Sequence, residues 1–166
     1  DPGPICYGNG GKNPTISDAN FLLGRLNPKS LNIKENIKIK EDTTLILKNK
    51  ISEKLKLNNY QSAEAILKIA NNKMANAIRM VSISVGEDPR EFSLFSFGGA
   101  GPMHACELAR ELDIPKVFIP ARPGLTNALG CLVADLRQDF TQTINTSLEE
   151  TNIKNLHSIL KKFKSD

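Results

Sequence analysis

A strand-like segment that runs into four small residues and then into a helix constrains this chain more than any other feature. Residues 92–97 alternate in the manner of a β-strand, and Pro102 opens an apolar pattern of helical period. Between them lies a cluster that we name the glycine corner: Gly98, Gly99, Ala100 and Gly101. Such a corner leaves backbone N–H groups bare at the start of a helix, an arrangement that suits a phosphate or a nucleotide.

The glycine corner matches neither of two common phosphate-binding motifs. No Gly-Lys-Ser/Thr sequence follows it, as a Walker A loop requires, and no further glycine lies three residues after Gly101, as the dinucleotide motif requires. Small residues nevertheless let backbone amides approach a ribose or a phosphate closely. Pro102 suits the first helical turn because its missing N–H is not needed there. The alternative interpretation is a tight strand-to-helix turn that holds no ligand.

The apolar periodicity predicts an α/β protein with long helices. Helices are expected over residues 18–26, 44–57, 63–84, 102–112, 127–134 and 152–164, and strands over 92–97, 117–119 and, at an edge, 137–144. Residues 1–16 are rich in glycine and proline and residues 29–42 are polar, so both are interpreted as irregular segments. Because the strands alternate with helices, we expect parallel pairing with right-handed crossovers.

Capping residues and composition divide the chain into parts. Ser17 or Asp18, Thr43 or Thr44, and Thr126 are the candidate helix N-caps. The predicted parts are a turn-rich segment with a short helix (1–43), a helical subdomain (44–91), an α/β part that carries the glycine corner (92–144), and a C-terminal helix that starts a further region (145–166).

Composition limits the classes of function. Hydrophobic residues make up 40% of the chain and charged residues 24%, as in a soluble globular domain, and no apolar run reaches membrane-spanning length. The net charge of +4 comes from lysines scattered among asparagines, and the chain has no tryptophan, so a nucleic-acid surface is not indicated. The three cysteines are far apart without CxxC spacing, which argues against zinc and disulfides and favours a reducing, cytoplasmic setting.

Two places near the glycine corner carry candidate ligand contacts. His104 lies in the first turn of the following helix, where it is either a donor or base beside a ligand or, more simply, a half-buried histidine whose charge the helix dipole disfavours. Thr126 and Asn127 open a later helix that contains small residues. There, a ligand contact competes with simple capping by Thr126.

The remaining polar candidates do not form a catalytic group. Asp18, near Asn20, is interpreted as a helix-start residue, and Asp88, near Arg90, as a turn residue before a proline. No pair of carboxylates with a defined spacing emerges, so no acid–base couple is named. The catalytic residues stay unknown at this point, and no metal ligands are assigned.

Several separated motifs, spread in order over residues 1 to about 140, carry a family resemblance. They are DPGPICYGNGG (1–11), PTISDAN (14–20), LGRL (23–26), DPREF (88–92), FGGAGPMHA (97–105) and PGLTNALG (123–130). By these motifs the chain resembles the hydantoinase A / 5-oxoprolinase family. That family includes N-methylhydantoinase subunits, 5-oxoprolinase and the acetone carboxylase beta subunit.

The resemblance implies a fold and a place within it. The expected fold is an actin-like ATPase (ribonuclease H-like), in which two lobes close over ATP and a late Gly-Gly segment meets the adenosine. Gly98, Gly99, Ala100 and Gly101 fit that segment by motif. The two Asp-x-Gly-Gly-Thr-type phosphate loops of the family are absent from this sequence. The chain is therefore interpreted as a fragment of the second lobe, an interpretation that its start without a methionine supports.

The resemblance also implies a reaction class. We expect a fragment of an ATP-dependent hydrolase that opens cyclic amides of the hydantoin or 5-oxoproline type by phosphorylating the amide, with ATP and Mg as cofactors. A companion subunit or domain of the hydantoinase B type is the expected partner, and the fragment alone is expected to be inactive. The alternatives are an ATP-binding subunit of a ketone carboxylase and a non-catalytic subunit-contact module.

Overall fold

The computed structural model describes residues 2–27, 37–135, 137–145, 147 and 152–163. The chain separates into two compact units, Asp1–Ala128 and Leu129–Asp166. The finer division predicted from the sequence, with boundaries near 43, 91 and 144, stays a prediction.

Helices dominate the described chain. They are α1 (Ile16–Leu22), α2 (Ile37–Leu47), α3 (Glu53–Leu55), α4 (Asn59–Ser84), α5 (Gly101–Glu111), α6 (Thr126–Val133) and α7 (Ile153–Phe163). A π-helical turn, Lys48–Ser52, joins α2 to α3, and short 3₁₀ turns occupy Ile5–Tyr7, Pro89–Glu91 and Pro123–Leu125. Most of the helix positions expected from apolar periodicity are therefore confirmed.

A small parallel sheet lies in the first unit. Its strands are β1 (Ser93–Phe95) and β2 (Lys116–Phe118), and α5 connects them. Leu94 pairs with Val117, and both side chains pack against the helical core. The predicted strand–helix–strand order with parallel pairing is thus confirmed, although β1 is shorter than the predicted 92–97 and β2 is shifted by one residue from the predicted 117–119.

The long helix α4 takes part in both hydrophobic clusters of the first unit. Its N-terminal half packs against α1 and α2 in a cluster that consists of Ala19, Leu47, Ala63 and Leu67. Its middle packs against α5 in a second cluster that consists of Ala75, Leu108, Ala109, Leu112 and Ile114. Because α4 carries both clusters, it is the element that sets the position of α5.

Paired caps fix where two helices begin. Asn58 accepts a hydrogen bond from the backbone N–H of Gln61 at 2.8 Å, and the Gln61 side chain accepts one from the Asn58 N–H at 3.0 Å. This capping box starts α4 at Asn59, earlier than residue 63. An equivalent box between Thr15 and Asp18 starts α1 at Ile16. The prediction of Ser17 or Asp18 as the cap was wrong: Asp18 lies in the first turn and supports the cap from there.

The region around residues 37–44 differs from its prediction. Residues 37–42 are helical, not irregular, and residues 29–36 of the predicted loop lie outside the described residues. Thr43 and Thr44 do not cap a helix. Their hydroxyls donate to the carbonyls of Ile39 at 2.6 Å and Lys40 at 2.7 Å. A threonine hydroxyl can either accept a hydrogen bond from a backbone N–H at the start of a helix or donate one to the carbonyl four residues earlier. The sequence alone does not distinguish the two.

The second unit contains the C-terminal part of α6, an irregular segment and α7. The strand expected over residues 137–144 is not formed, and the described residues there have no regular secondary structure. A strand is stable only where a neighbour pairs with it, and none of the described residues pairs with this segment. The ring of Phe140 instead stacks on that of Phe163 in α7, with centroids 5.3 Å apart.

Candidate functional site

The glycine corner lies at the carboxyl end of β1 and leads into α5. The backbone N–H of Gly98 donates to the carbonyl of Pro123 at 2.8 Å, so the corner contacts the turn that follows β2. The carboxyl ends of both parallel strands therefore meet at this edge of the sheet, the edge at which α/β sheets usually bind ligands.

The structure explains the absence of a side chain at some positions of the glycine corner but not at others. Gly98 has φ +84°, a conformation that side chains other than glycine rarely adopt. A Cβ on Gly101 would lie 3.1 Å from the hydroxyl of Ser96. A Cβ on Gly99, by contrast, would meet no atom within 4 Å, and its φ is not in the left-handed range. The fold therefore accounts for Gly98 and Gly101, whereas at Gly99 the absence of a side chain leaves open space.

The start of α5 lacks a side-chain cap. Pro102 has no N–H, and the Met103 N–H donates to the Ala100 carbonyl at 3.1 Å, which leaves the N–H of Gly101 for a ligand. The N-cap position is occupied by Ala100, and no side chain accepts a hydrogen bond from the first turn. The helix has 11 residues, and Pro102 lies in its first turn as expected. Backbone donors at such an end attract an anion or a polar ligand because the helix dipole is positive there.

The side chain of His104 is not free to contact a ligand, because it packs against α4. It is buried, 7% exposed, and its Nδ1 lies 2.8 Å from Oδ1 of Asn71 on α4. Burial lowers the pKa of His104, the carboxylate of Glu107 opposes this shift, and the guanidinium of Arg25 adds to it. The sequence predicted a half-buried histidine in its simpler interpretation, and the structure buries it further. A direct role of His104 toward a ligand stays a prediction.

His104 belongs to a chain of polar contacts that we name the Asn71 network: Arg25, Asn71, His104 and Glu107. The Asn71 side-chain amide donates to Oε2 of Glu107, and Oε1 of Glu107 pairs with the Arg25 guanidinium at 2.7 Å. Asn71 and Glu107 line a cleft of about 270 Å³. The network joins the segment after α1 to α4 and α5.

Sequence reasoning identified only His104 among these residues. A signal for Asn71 was present, because Leu67, Asn71 and Ala75 recur every four residues and are all buried in α4. A polar residue within an apolar stripe needs a partner in the interior. Its partners lie 33 and 36 residues away in the chain, so their identity was not readable from local pattern.

Thr126 and Asn127 lie just after the turn that contacts the glycine corner. Thr126 is the first residue of α6, and its hydroxyl donates to the carbonyl of Arg122 at 3.3 Å. It therefore bonds backward to the preceding turn and does not cap α6 as the sequence indicated. Asn127 is exposed. The Gly98–Pro123 bond brings the start of this turn to the glycine corner, and ligand contact by Thr126 or Asn127 stays a prediction.

Asp18 is a structural carboxylate. It is 1% exposed and accepts hydrogen bonds from the N–H of Cys6 at 2.7 Å, the N–H of Thr15 at 2.8 Å and the Thr15 hydroxyl at 2.7 Å. Burial, and then the nearby Asp18, raise the pKa of the Cys6 thiol to about 12. Asp18 thus ties the glycine-rich N-terminal segment to α1.

The described part of the chain has neither a cluster of metal ligands nor a membrane-spanning helix. Among those residues no group of three or more histidines, cysteines, aspartates or glutamates is placed to hold a metal ion. None of the described helices is both long and apolar enough to cross a membrane.

Comparison with known proteins gives one consistent answer. The family model for hydantoinase/oxoprolinase matches residues 1–140. The uncharacterized protein MJ0964 of Methanocaldococcus jannaschii is 40% identical over 159 residues, which cover 96% of this chain and 23% of that protein. The caprolactamase subunit alpha of Pseudomonas jessenii is 36% identical over 151 residues, 90% of this chain and 22% of the relative. This chain therefore spans less than a quarter of the length of these curated relatives.

Solved structures agree. The crystal structure of the ATP-dependent caprolactamase from Pseudomonas jessenii matches 99% of this chain and 24% of its own, with a TM-score of 0.75 and 33% identity. The nucleotide-free structure of acetone carboxylase matches 79% of this chain and 19% of its own, with a TM-score of 0.70 and 28% identity. The ordered motifs, the glycine corner between a parallel strand and a helix, and the match over residues 1–140 together show that the chain belongs to the hydantoinase/oxoprolinase family.

Proposed function

We propose that this chain is part of an ATP-dependent enzyme that opens cyclic amides, and that its glycine corner contacts the adenosine part of ATP. The observation that carries the proposal is Gly99. The fold gives no reason for a glycine there, and the space beside it is open at the edge of the sheet where α/β proteins usually bind ligands. A related structure is described as an ATP-dependent caprolactamase, and a caprolactam is a cyclic amide.

The chemistry explains why such an enzyme needs ATP. Resonance stabilises an amide against attack by water, and a small lactam ring lacks a good leaving group. Transfer of the terminal phosphoryl group of ATP to the amide oxygen removes that resonance, and water then opens the ring with release of phosphate. We propose that Gly98, Gly99, Ala100 and Gly101 hold the nucleotide for this transfer, with Mg accompanying the phosphates.

The rest of the active site is proposed to lie outside this chain. The chain spans 22% of the caprolactamase alpha subunit, and we found no acid–base couple within it. We infer that the phosphate loops, the catalytic groups and the metal ligands belong to other parts of a longer polypeptide with an actin-like ATPase fold. In this proposal residues 92–144 form the nucleotide side of the second lobe, the protein works in the cytoplasm, and a B-type companion subunit takes part.

The second candidate function is the ATP-binding subunit of a ketone carboxylase. The structural similarity to acetone carboxylase favours it specifically. The two functions differ in the product of ATP turnover. A lactam substrate yields a ring-opened amino acid without bicarbonate, whereas a ketone yields a carboxylated product only when bicarbonate is present. Assay of the complete enzyme with both substrate classes, with and without bicarbonate, separates them.

Gly99→Val in the complete polypeptide that carries this chain tests the nucleotide contact. A branched side chain at this position should fill the open space and weaken ATP binding, measured by isothermal titration calorimetry. Gly130→Val is the matched control, because a Cβ there also meets no atom within 4 Å. ATP affinity that is the same in the parent protein and in Gly99→Val would contradict the proposed contact and favour a subunit-contact module.

A further inference from the structure

The helix α5 is held against α4 in two different ways along its length. Toward its C-terminus, Leu108, Ala109 and Leu112 pack with Ala75 in an apolar cluster. Toward its N-terminus, the contact is polar, because His104 bonds to Asn71. The polar contact is the one nearer the glycine corner, since His104 lies four residues after Ala100, the N-cap of the helix.

We propose that Asn71 is a positioning residue for the nucleotide: by holding His104 against α4, it fixes the first turn of α5 and with it the glycine corner. This inference rests on the proposed binding of ATP at that corner. Asn71 lies in the middle of α4 and is 5% exposed, so it acts on the ligand only through His104 and α5.

The bonds of the Asn71 network give its side chain a single orientation. Its amide nitrogen donates to Glu107, so its oxygen faces Nδ1 of His104, and the histidine must donate from Nδ1. Glu107 is in turn held by the Arg25 guanidinium. Loss of Asn71 would leave a buried N–H of His104 without a partner, which costs more than the bond itself contributes.

The glycine corner depends on such support because it has few contacts of its own. Side chains at Gly98 and Gly99 would meet nothing within 4 Å, so no packing holds these two positions from the side. One main-chain bond, from Gly98 to Pro123, fastens its beginning. Its end is the start of α5, whose placement the His104–Asn71 contact sets. A ligand site must hold its groups within about 0.5 Å, so a shift of this turn would weaken binding.

The test is Asn71→Leu in the complete polypeptide that carries this chain. Leucine has the same branched arrangement of four side-chain heavy atoms as asparagine, although it is bulkier, and it removes both polar groups. We expect the Kd for ATP, measured by calorimetry where the variant is fully folded, to rise about tenfold, because the variant loses both hydrogen bonds of Asn71 and leaves the buried N–H of His104 without a partner. Glu107→Gln keeps an oxygen that accepts from Asn71, so its Kd should stay within about threefold of the parent value, whereas Glu107→Leu should behave like Asn71→Leu.

Leu112→Ala controls for general loosening of α5. Leu112 is 5% exposed, belongs to the apolar cluster and lies outside the Asn71 network. If Leu112→Ala raised the Kd as much as Asn71→Leu, the network would have no specific role and the proposal would fail. The proposal also fails if Gly99→Val no longer binds ATP while Asn71→Leu and Glu107→Leu bind ATP with the Kd of the parent protein. A parent protein that binds no ATP overturns the proposed function and this inference together. Glu107→Leu, at a half-buried position, serves if Asn71→Leu does not fold.

Discussion

Nδ1 of His104 lies 2.8 Å from Oδ1 of Asn71, in the interior between α4 and α5. The amide of Asn71 is committed as a donor to Glu107, so the contact requires the proton on Nδ1 of the histidine. This relationship gives the side chain of His104 a defined tautomer, a property that an exposed histidine lacks.

The first prediction concerns that tautomer. At neutral pH, His104 should be the Nδ1–H form, with Nε2 unprotonated, as read from side-chain ¹⁵N shifts by NMR. The chain has two histidines, and His157 is exposed, so His157→Gln assigns the signals without touching the interior. Asn71→Leu should remove the preference. A dominant Nε2–H form in the parent protein would show that the amide of Asn71 is oriented the other way.

The second prediction concerns pH and stability. The pKa of His104 is lowered in the folded chain from its ordinary value of 6.5, chiefly by burial. The unfolded chain therefore binds a proton more readily, and the free energy of unfolding should fall as pH drops below about 6.5 toward the lowered pKa, with no contribution from this group above that range. In His104→Asn this part of the decline should disappear. Urea denaturation of the parent protein and of His104→Asn measures the difference. The pH should run from about 7.5 to about 5, the range in which histidine titrates.

The third prediction concerns thiol reactivity. Cys6 is buried with its pKa raised to about 12, whereas Cys106 and Cys131 are exposed. The thiolate is the reactive form, so Cys6 should resist a thiol reagent at mildly alkaline pH while the other two react. In the 166-residue chain, native protein should give two rapid equivalents and denatured protein three, one per cysteine. A third rapid equivalent in native protein would mean that the hydrogen bonds between Asp18 and the segment around Cys6 open readily.

The fourth prediction concerns the cluster that joins α1, α2 and α4. Leu67 is 1% exposed within it, and truncation there leaves a cavity. Leu67→Ala should lower the free energy of unfolding by about 2–5 kcal/mol. Leu132→Ala is the comparison, because Leu132 is 83% exposed, and it should change stability by less than about 0.5 kcal/mol. Guanidinium denaturation followed by circular dichroism measures both, and equal effects would contradict the described burial.

Local chemistry made the region around the glycine corner predictable. A run of β-favouring residues, three glycines and a proline each restrict the backbone within a few residues, so strand, turn and helix followed from sequence. The helix predicted over 102–112 is found at Gly101–Glu111, and the strand predicted over 117–119 at Lys116–Phe118. The same reasoning did not distinguish the roles of the three glycines, because their roles depend on which atoms surround each one in the folded chain.

Two causes account for the features that were not predicted: local alternatives that fit the sequence pattern equally well, and contacts with distant segments. The hydroxyls of Thr43 and Thr44 bond to carbonyls within α2, and a cap at these residues was equally compatible with local pattern. The alternation over 137–144 needed a partner strand that the described residues do not supply. The partners of Asn71 come from elements that are distant in the chain. The threonines had two local options, whereas the strand over 137–144 and the partners of Asn71 depended on segments that are distant in the chain.

The link between Gly98 and Pro123 joins one peptide N–H to one peptide carbonyl. Because neither side chain takes part, an exchange of the residue at position 123 leaves the acceptor of this bond in place. Position 98 is restricted twice, because its φ of +84° favours glycine and because a proline there would have no N–H to donate. Gly98→Pro would therefore remove this bond and leave the one from the Ser96 N–H to the Phe118 carbonyl.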